Sequence, residues 1–129
     1  MTVTELLTYT AGIMGVPYDT LSVYTDTIKL SKVNVVLQQC FNLENNNRLF
    51  LEEDELTERP YLTSVSATVP YKDNIVLNVM PYGLAQLFAL SDDDTIRAGF
   101  FGQLYADSMR SEGKFIASEI TDYFDTGTV

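Results

Sequence analysis

The residue types that usually run reactions near neutral pH are scarce in this sequence: histidine is absent and cysteine occurs once, as Cys40. Without imidazole, the commonest general base and metal ligand is missing, and Cys40 has no histidine to draw off its proton. One cysteine excludes an intrachain disulfide and a four-thiolate metal centre, so Cys40 reads as a buried, inert thiol. Ser-Lys or paired-carboxylate chemistry remains formally available, but no serine sits in a nucleophile motif. Acids cluster in two runs, "LEEDELTE" at 51–58 and "SDDD" at 91–94. The first lacks the alternating ligands and central glycine of an EF-hand loop and reads as a solvated acidic loop. The second reads as a helix cap whose charges complement the positive helix start. Gly99 and Gly102 flank Phe100 and Phe101 in a helical pattern and form no phosphate cradle; they suit close helix packing. These residues predict a protein with no catalytic set, no metal and no cofactor.

The elements that would position such residues fit one domain, because 129 residues supply a single core and not two. Hydrophobic residues make up 46%, as in an ordinary globular chain, whereas 18 acids against 8 bases give a net charge of −10. So acidic a surface repels phosphate backbones, which argues against stable nucleic-acid wrapping. Eight tyrosines and seven phenylalanines point to packing and interface anchoring. Base stacking is the weaker reading, since Tyr9, Tyr18, Tyr24, Tyr61 and Tyr71 mostly lack basic neighbours. The start "MTVTELLTYT" has neither the basic end nor the apolar core of a signal peptide, and no window reads as a membrane span. Synthesis in a cytoplasm is the expectation.

Thr2 and Glu5 have capping-box spacing, predicting a first helix over 3–15 that Gly15 and Pro17 stop. "VPYDTLSVYTD" reads as a loop or a turn of helix. Thr25 or Asp26 caps a second helix, with Leu30, Val33, Leu37, Cys40 and Phe41 on one face. Ile28, Val35 and Val36 widen its apolar arc and predict burial on more than one side. The three asparagines at 45–47 break the pattern, so 44–60 reads as a mobile loop with an extended piece over Arg48 to Leu51. Val65, Ala67, Val69 and Tyr71 alternate at period two, a short β segment or extended coil that Pro70 ends.

In "NIVLNVMPYGLAQLFALSDDD", Val76, Val79, Met80, Gly83, Leu84, Leu87 and Leu90 keep helical spacing straight through Pro81. The spacing predicts a helix capped by Asp73 and either kinked or split near 80, with Pro81 and Gly83 as the structural joint. Asp92 or Asp93 then caps a last helix over 93–112 with Ile96, Phe100, Leu104, Tyr105, Ser108 and Met109 inward. The tail "KFIASEITDYFDTGTV" carries spaced apolar residues that suit docking into a groove on a partner.

The order of these features resembles the small head-tail connector, or adaptor, proteins of tailed bacteriophages. The likeness rests on "TELLTYTAGIMGV", "KLSKVNVVLQQ", "VPY", "MPYGLAQLFAL" with its acidic break, and "AGFFGQLYADSMR", and spans residues 3–112. It implies a mainly α fold: a bundle of about four helices over residues 1–112 with a short extended or β-hairpin insertion, then a C-terminal tail over 113–129. It further implies a virion protein at the head-tail junction, with copies (commonly about twelve) closing a ring beneath the portal protein. Such rings extend the DNA channel without binding DNA specifically, offer a platform to neck or tail components and touch no membrane. In this frame Phe115, Ile116, Ile120, Tyr123 and Phe124 are the candidate portal-docking residues. Glu52, Glu53, Asp54 and Glu55 are the candidate loop facing the channel or a neighbouring subunit. Two rival readings are a strand-rich tail-completion or terminator protein, and an acidic DNA-mimic module that occupies a basic partner.

Overall fold

Thr2 opens the first helix through the capping box its spacing predicts: its hydroxyl accepts from Glu5 N–H at 3.2 Å while its own N–H donates to the Glu5 carboxylate at 3.1 Å. The computed structural model of the protein describes residues 1–16 and 18–113, and these are mainly helical. Helix α1 is Val3–Met14, ended by Gly15 in the left-handed conformation (φ 74°). A 3₁₀-helix over Tyr18–Val23 leads to α2, Asp26–Phe50, whose N-cap Thr25 accepts from Ile28 N–H. Helices α3, Asp73–Asn78, and α4, Met80–Ser91, meet at Val79, and α5 is Thr95–Ser111. With α3 and α4 abutting, the expected four rods are present. The tail residues Phe115, Ile116, Ile120, Tyr123 and Phe124 lie outside the described residues.

The apolar run around Pro81 supplies the central rod. Val79, Met80, Leu84, Ala85 and Phe88 are buried, and α4 packs against α5, α1 and α2. Pro81 lies in the first turn of α4, where a missing N–H breaks no intrahelical bond, so the break falls where sequence places it. Gly83 is required by packing. A Cβ there would lie 2.7 Å from Cζ of Tyr105, so the bare backbone makes room for a ring crossing from α5.

Four expectations change. The asparagines do not end α2, which runs on to Phe50; the extended piece expected over Arg48 to Leu51 is its last turn. Two of the side chains find partners beyond the helix, Asn45 at Leu56 and Asn47 at the Glu112 carbonyl, and Asn47 also donates back to the Leu43 carbonyl one turn earlier in α2. Ile28 and Val35 point to solvent, yet α2 is buried on more than one side as expected: Val33, Val36, Leu37 and Cys40 face the apolar core, and Asn34 and Asn45 are buried on an adjoining face. In α5 the buried residues are Ala98, Phe101 and Tyr105, with Leu104 and Met109 packed against the core as expected, while Ile96 and Phe100 face out. Finally, Asp94 caps α5 through Arg97 N–H at 3.0 Å, and Lys72 rather than Asp73 precedes α3. Gly99 meets nothing within 4 Å and Gly102 abuts only the Gln86 side chain, so neither admits another backbone within the chain.

No strand forms among the described residues. The period-two segment is extended coil with one antiparallel bridge, Thr2 to Thr68. It serves α1 directly: the Val3 and Thr4 N–H groups, left free at a helix start, donate to the Ala67 and Val65 carbonyls at 3.0 Å each.

Candidate functional site

The acidic loop follows α2. Glu52, in the left-handed region at φ 58°, turns the chain, and Glu52, Glu53, Asp54 and Glu55 are all exposed. Glu53 pairs with Lys72. Beneath the loop lies a buried carboxylate that sequence reasoning missed: Glu44 is 0% exposed, accepts from Arg48 Nε at 2.6 Å and from Lys72 N–H at 2.8 Å. An acid paired with a base four residues on was the available signal. The asparagines beside it masked that signal by making 44–60 resemble a loop.

The segment after this turn is tied down, contrary to the expected mobile loop. It runs back along α2, and α2 side chains take the place of a neighbouring strand. Asn45 donates to the Leu56 carbonyl at 3.2 Å and accepts from Leu56 N–H at 2.8 Å. Asn34 repeats the clasp on Leu62 at 2.9 and 2.8 Å, and Gln38 donates to the Pro60 carbonyl at 2.9 Å. Arg59 lies 4.6 Å from the Phe41 ring centre. A primary amide can set one of its two N–H donors and its carbonyl oxygen side by side in a plane, so each asparagine satisfies both the N–H and the C=O of one backbone residue.

Where this segment passes the first turns of α2, an open groove of about 370 Å³ remains, lined by Thr27, Leu30, Ser31, Tyr61, Leu62 and Thr63. No acid or base lines it. Elsewhere the outer face of α5 carries Ile96, 85% exposed, and Phe100, 61% exposed, one turn apart beside Gly99 and Gln103. Neither feature shows in the sequence alone. The groove joins residues far apart in the chain, and two apolar stripes coexist on α5. Only the size of Ala98 and Gly102 beside Phe101 and Tyr105 distinguishes the packed stripe.

Two polar clusters resemble chemistry without supplying it. Lys32 Nζ lies 2.5 Å from Ser91 Oγ. Desolvation lowers the lysine pKa, partly opposed by nearby Asp92. Ser91 ends α4, at the negative end of the helix dipole and beside Asp92, an environment that disfavours an alkoxide. The Tyr24 hydroxyl donates to Asp92 at 2.6 Å, and burial pushes its pKa up to about 12, so the cluster is a clasp joining the link before α2, α2 itself and the end of α4. Cys40 lies 3.5 Å from the Tyr105 hydroxyl, which donates to Gln39 Oε1 at 2.8 Å. Burial pushes the Cys40 thiol up to about 11, the unreactive thiol expected. Among the described residues no three potential metal ligands come together.

The "SDDD" run divides its labour: Asp94 caps α5, Asp92 accepts from Tyr24, and Asp93 turns the chain at φ 57°. At the far end, Glu112 accepts from Asn74 and Asn78 and fastens the end of α5 to α3. Pro81 and Gly83 are buried in the core as a joint. The structure does not bring them together with the acidic loop as a single site. Comparison with protein-family models, curated proteins and solved structures found no match to this chain.

Proposed function

We propose that this chain is a structural assembly protein, the head-tail connector adaptor that its sequence resembles, acting through interfaces rather than catalysis. The observation that carries the reading is the outer face of α5, where Ile96 and Phe100 stand in solvent on a chain of net charge −10. Large exposed apolar side chains grouped on one helix mark an interaction surface. The acidic loop Glu52 to Glu55 is exposed as a channel-facing or neighbour-facing segment requires, and its charge disfavours adhesion of DNA sliding past.

In this account copies close a ring beneath the portal through heterologous contacts. Phe115, Ile116, Ile120, Tyr123 and Phe124 dock on the portal, and the opposite face receives a neck or tail component. The helical fold weighs against the strand-rich terminator alternative. Cryo-electron microscopy of the tailed particle encoded with this chain tests the reading: a ring of this fold at the head-tail junction is expected. A fully resolved neck without it sinks the proposal.

A further inference from the structure

We infer that residues 53–64 form a strap that swings off α2 as one unit while the helices stay packed, uncovering a stripe of α2 side chains that holds an extended chain by its backbone. The opening is a property of the single chain and does not rest on the assembly reading above.

Burial is the first observation. From Leu51 to Thr68 no residue is buried; within the strap Leu56, Pro60 and Leu62 are half-buried, and the next buried residue is Val69. Closing the strap therefore withdraws little apolar surface from water, and the term that holds the helices together is largely missing here. Its attachment is polar instead. Among the described residues no backbone–backbone hydrogen bond joins residues 54–63 to another element. The ties run to α2 side chains: Asn45 to both backbone groups of Leu56, Gln38 to the Pro60 carbonyl, and Asn34 to both backbone groups of Leu62. When the strap lifts, water replaces each partner on both sides, so no polar group is stranded and each bond costs little to open.

The second observation is that both ends of the strap are fixed by the bonds its middle lacks. At the near end Glu52 turns the chain at φ 58°, and the Glu53 N–H donates to the Arg48 carbonyl at 2.8 Å. At the far end the Val65 and Ala67 carbonyls accept from the first N–H groups of α1, and the Val69 N–H donates to the Met1 carbonyl at 2.9 Å. These anchors belong to the ends of α2 and α1, and the stretch between them is free to move without disturbing either helix. Charge favours the movement. The strap carries Glu53, Asp54, Glu55 and Glu58 against Arg59 alone, on a chain of net charge −10.

The third observation is the surface beneath. Asn34, Gln38, Phe41 and Asn45 stand at i, i+4, i+7 and i+11, one stripe of α2, with the Arg59 guanidinium 4.6 Å from the Phe41 ring centre. Its amides contact peptide groups rather than side chains, so the stripe holds an extended chain with little regard to its sequence. In the closed state the strap is that chain.

Native-state hydrogen exchange of the full chain, followed residue by residue in low denaturant, tests the opening. The Leu56 and Leu62 N–H groups, bonded to different asparagines, should report one opening constant with one shallow denaturant slope, at least about 100-fold larger than that of Leu37 in α2 or Leu84 in α4. Asn34→Ala, which removes the clasp on Leu62, should also speed exchange at Leu56 by about ten-fold or more, with helicity by circular dichroism retained. Strap amides that exchange only together with Leu37 and Leu84 would overturn the inference, because the segment would then open only with the whole fold. Exchange at Leu56 untouched by Asn34→Ala would overturn it as well, by showing separate fraying at each clasp, and so would exchange at both sites as fast as in an unfolded chain.

Discussion

Gly83→Ala is the sharpest probe of the joint between α3 and α4. In an open helix this change stabilises by about 1 kcal/mol, through helix propensity and lost freedom of the unfolded chain. Here the new methyl would sit 2.7, 2.9 and 3.0 Å from Cζ, Cε1 and Cε2 of Tyr105. The ring has little freedom to retreat, being 8% exposed and held at its hydroxyl by Gln39 and Cys40. Overpacking of this kind costs about 1–3 kcal/mol, leaving a net loss of about 0–2 kcal/mol once propensity is counted. At this chain length that lowers Tm by up to about 10 °C, against the rise expected of an unhindered Gly→Ala change. Gly99→Ala, within α5 and meeting nothing, supplies the matched control and should raise Tm by a few degrees. Thermal melts followed by circular dichroism give both values. In a double-mutant cycle, Tyr105→Leu should relieve much of the Gly83→Ala penalty, with a coupling of about 1 kcal/mol or more. If Gly83→Ala stabilises as much as Gly99→Ala, the reasoning about close approach is wrong.

Three further outcomes follow from the polar contacts. Glu44→Ala leaves the Arg48 guanidinium and the Lys72 N–H without their buried acceptor, and should cost about 3–5 kcal/mol in urea unfolding; a loss below about 1 kcal/mol would show the pair to be dispensable. Asn45→Ala and Asn34→Ala each remove a two-bond clasp and should cost about 1–3 kcal/mol, with faster amide exchange at Leu56 and Leu62 respectively and little change in α1. On the alkaline side, Cys40 rises from 9.0 to about 11 and Tyr24 from 10.0 to about 12, each chiefly by burial, and burial raises Tyr71 and Tyr105 as well. The folded chain thus holds protons that the unfolded chain releases. Stability from these groups is complete below about pH 9 and falls as pH rises from there to about 12, which pH-dependent urea midpoints check; a flat profile would contradict it.

The helices were legible where periodicity and caps agreed. Thr2 with Glu5, Gly15, Thr25 and the apolar spacing through Pro81 all act locally, and each element they mark is present. The asparagine-rich end of α2 was illegible because asparagine is a weak helix former in isolation. Its side chains find partners in residues 11 to 65 positions away, Leu56 and Glu112, which no local pattern contains. The facing of α5 was legible in its second half, where Tyr105 is buried and Leu104 and Met109 pack on the core, and failed in its first, where Ile96 and Phe100 face out and Ala98 and Phe101 face in, with Tyr105 seated against Gly83. Of the candidate sites, the acidic run was visible as a charge pattern. The groove was not, since residues 27–31 and 61–63 meet through long-range clasps such as Asn34 on Leu62 and Gln38 on Pro60.

The central claim is that this chain assembles with itself on a portal. Native mass spectrometry of the full chain mixed with a portal protein encoded beside it measures that most directly. The account predicts a complex carrying many copies of the chain, matching the portal in number, that is lost with Phe100→Asp. A chain that remains monomeric and unbound at every mixing ratio would contradict it.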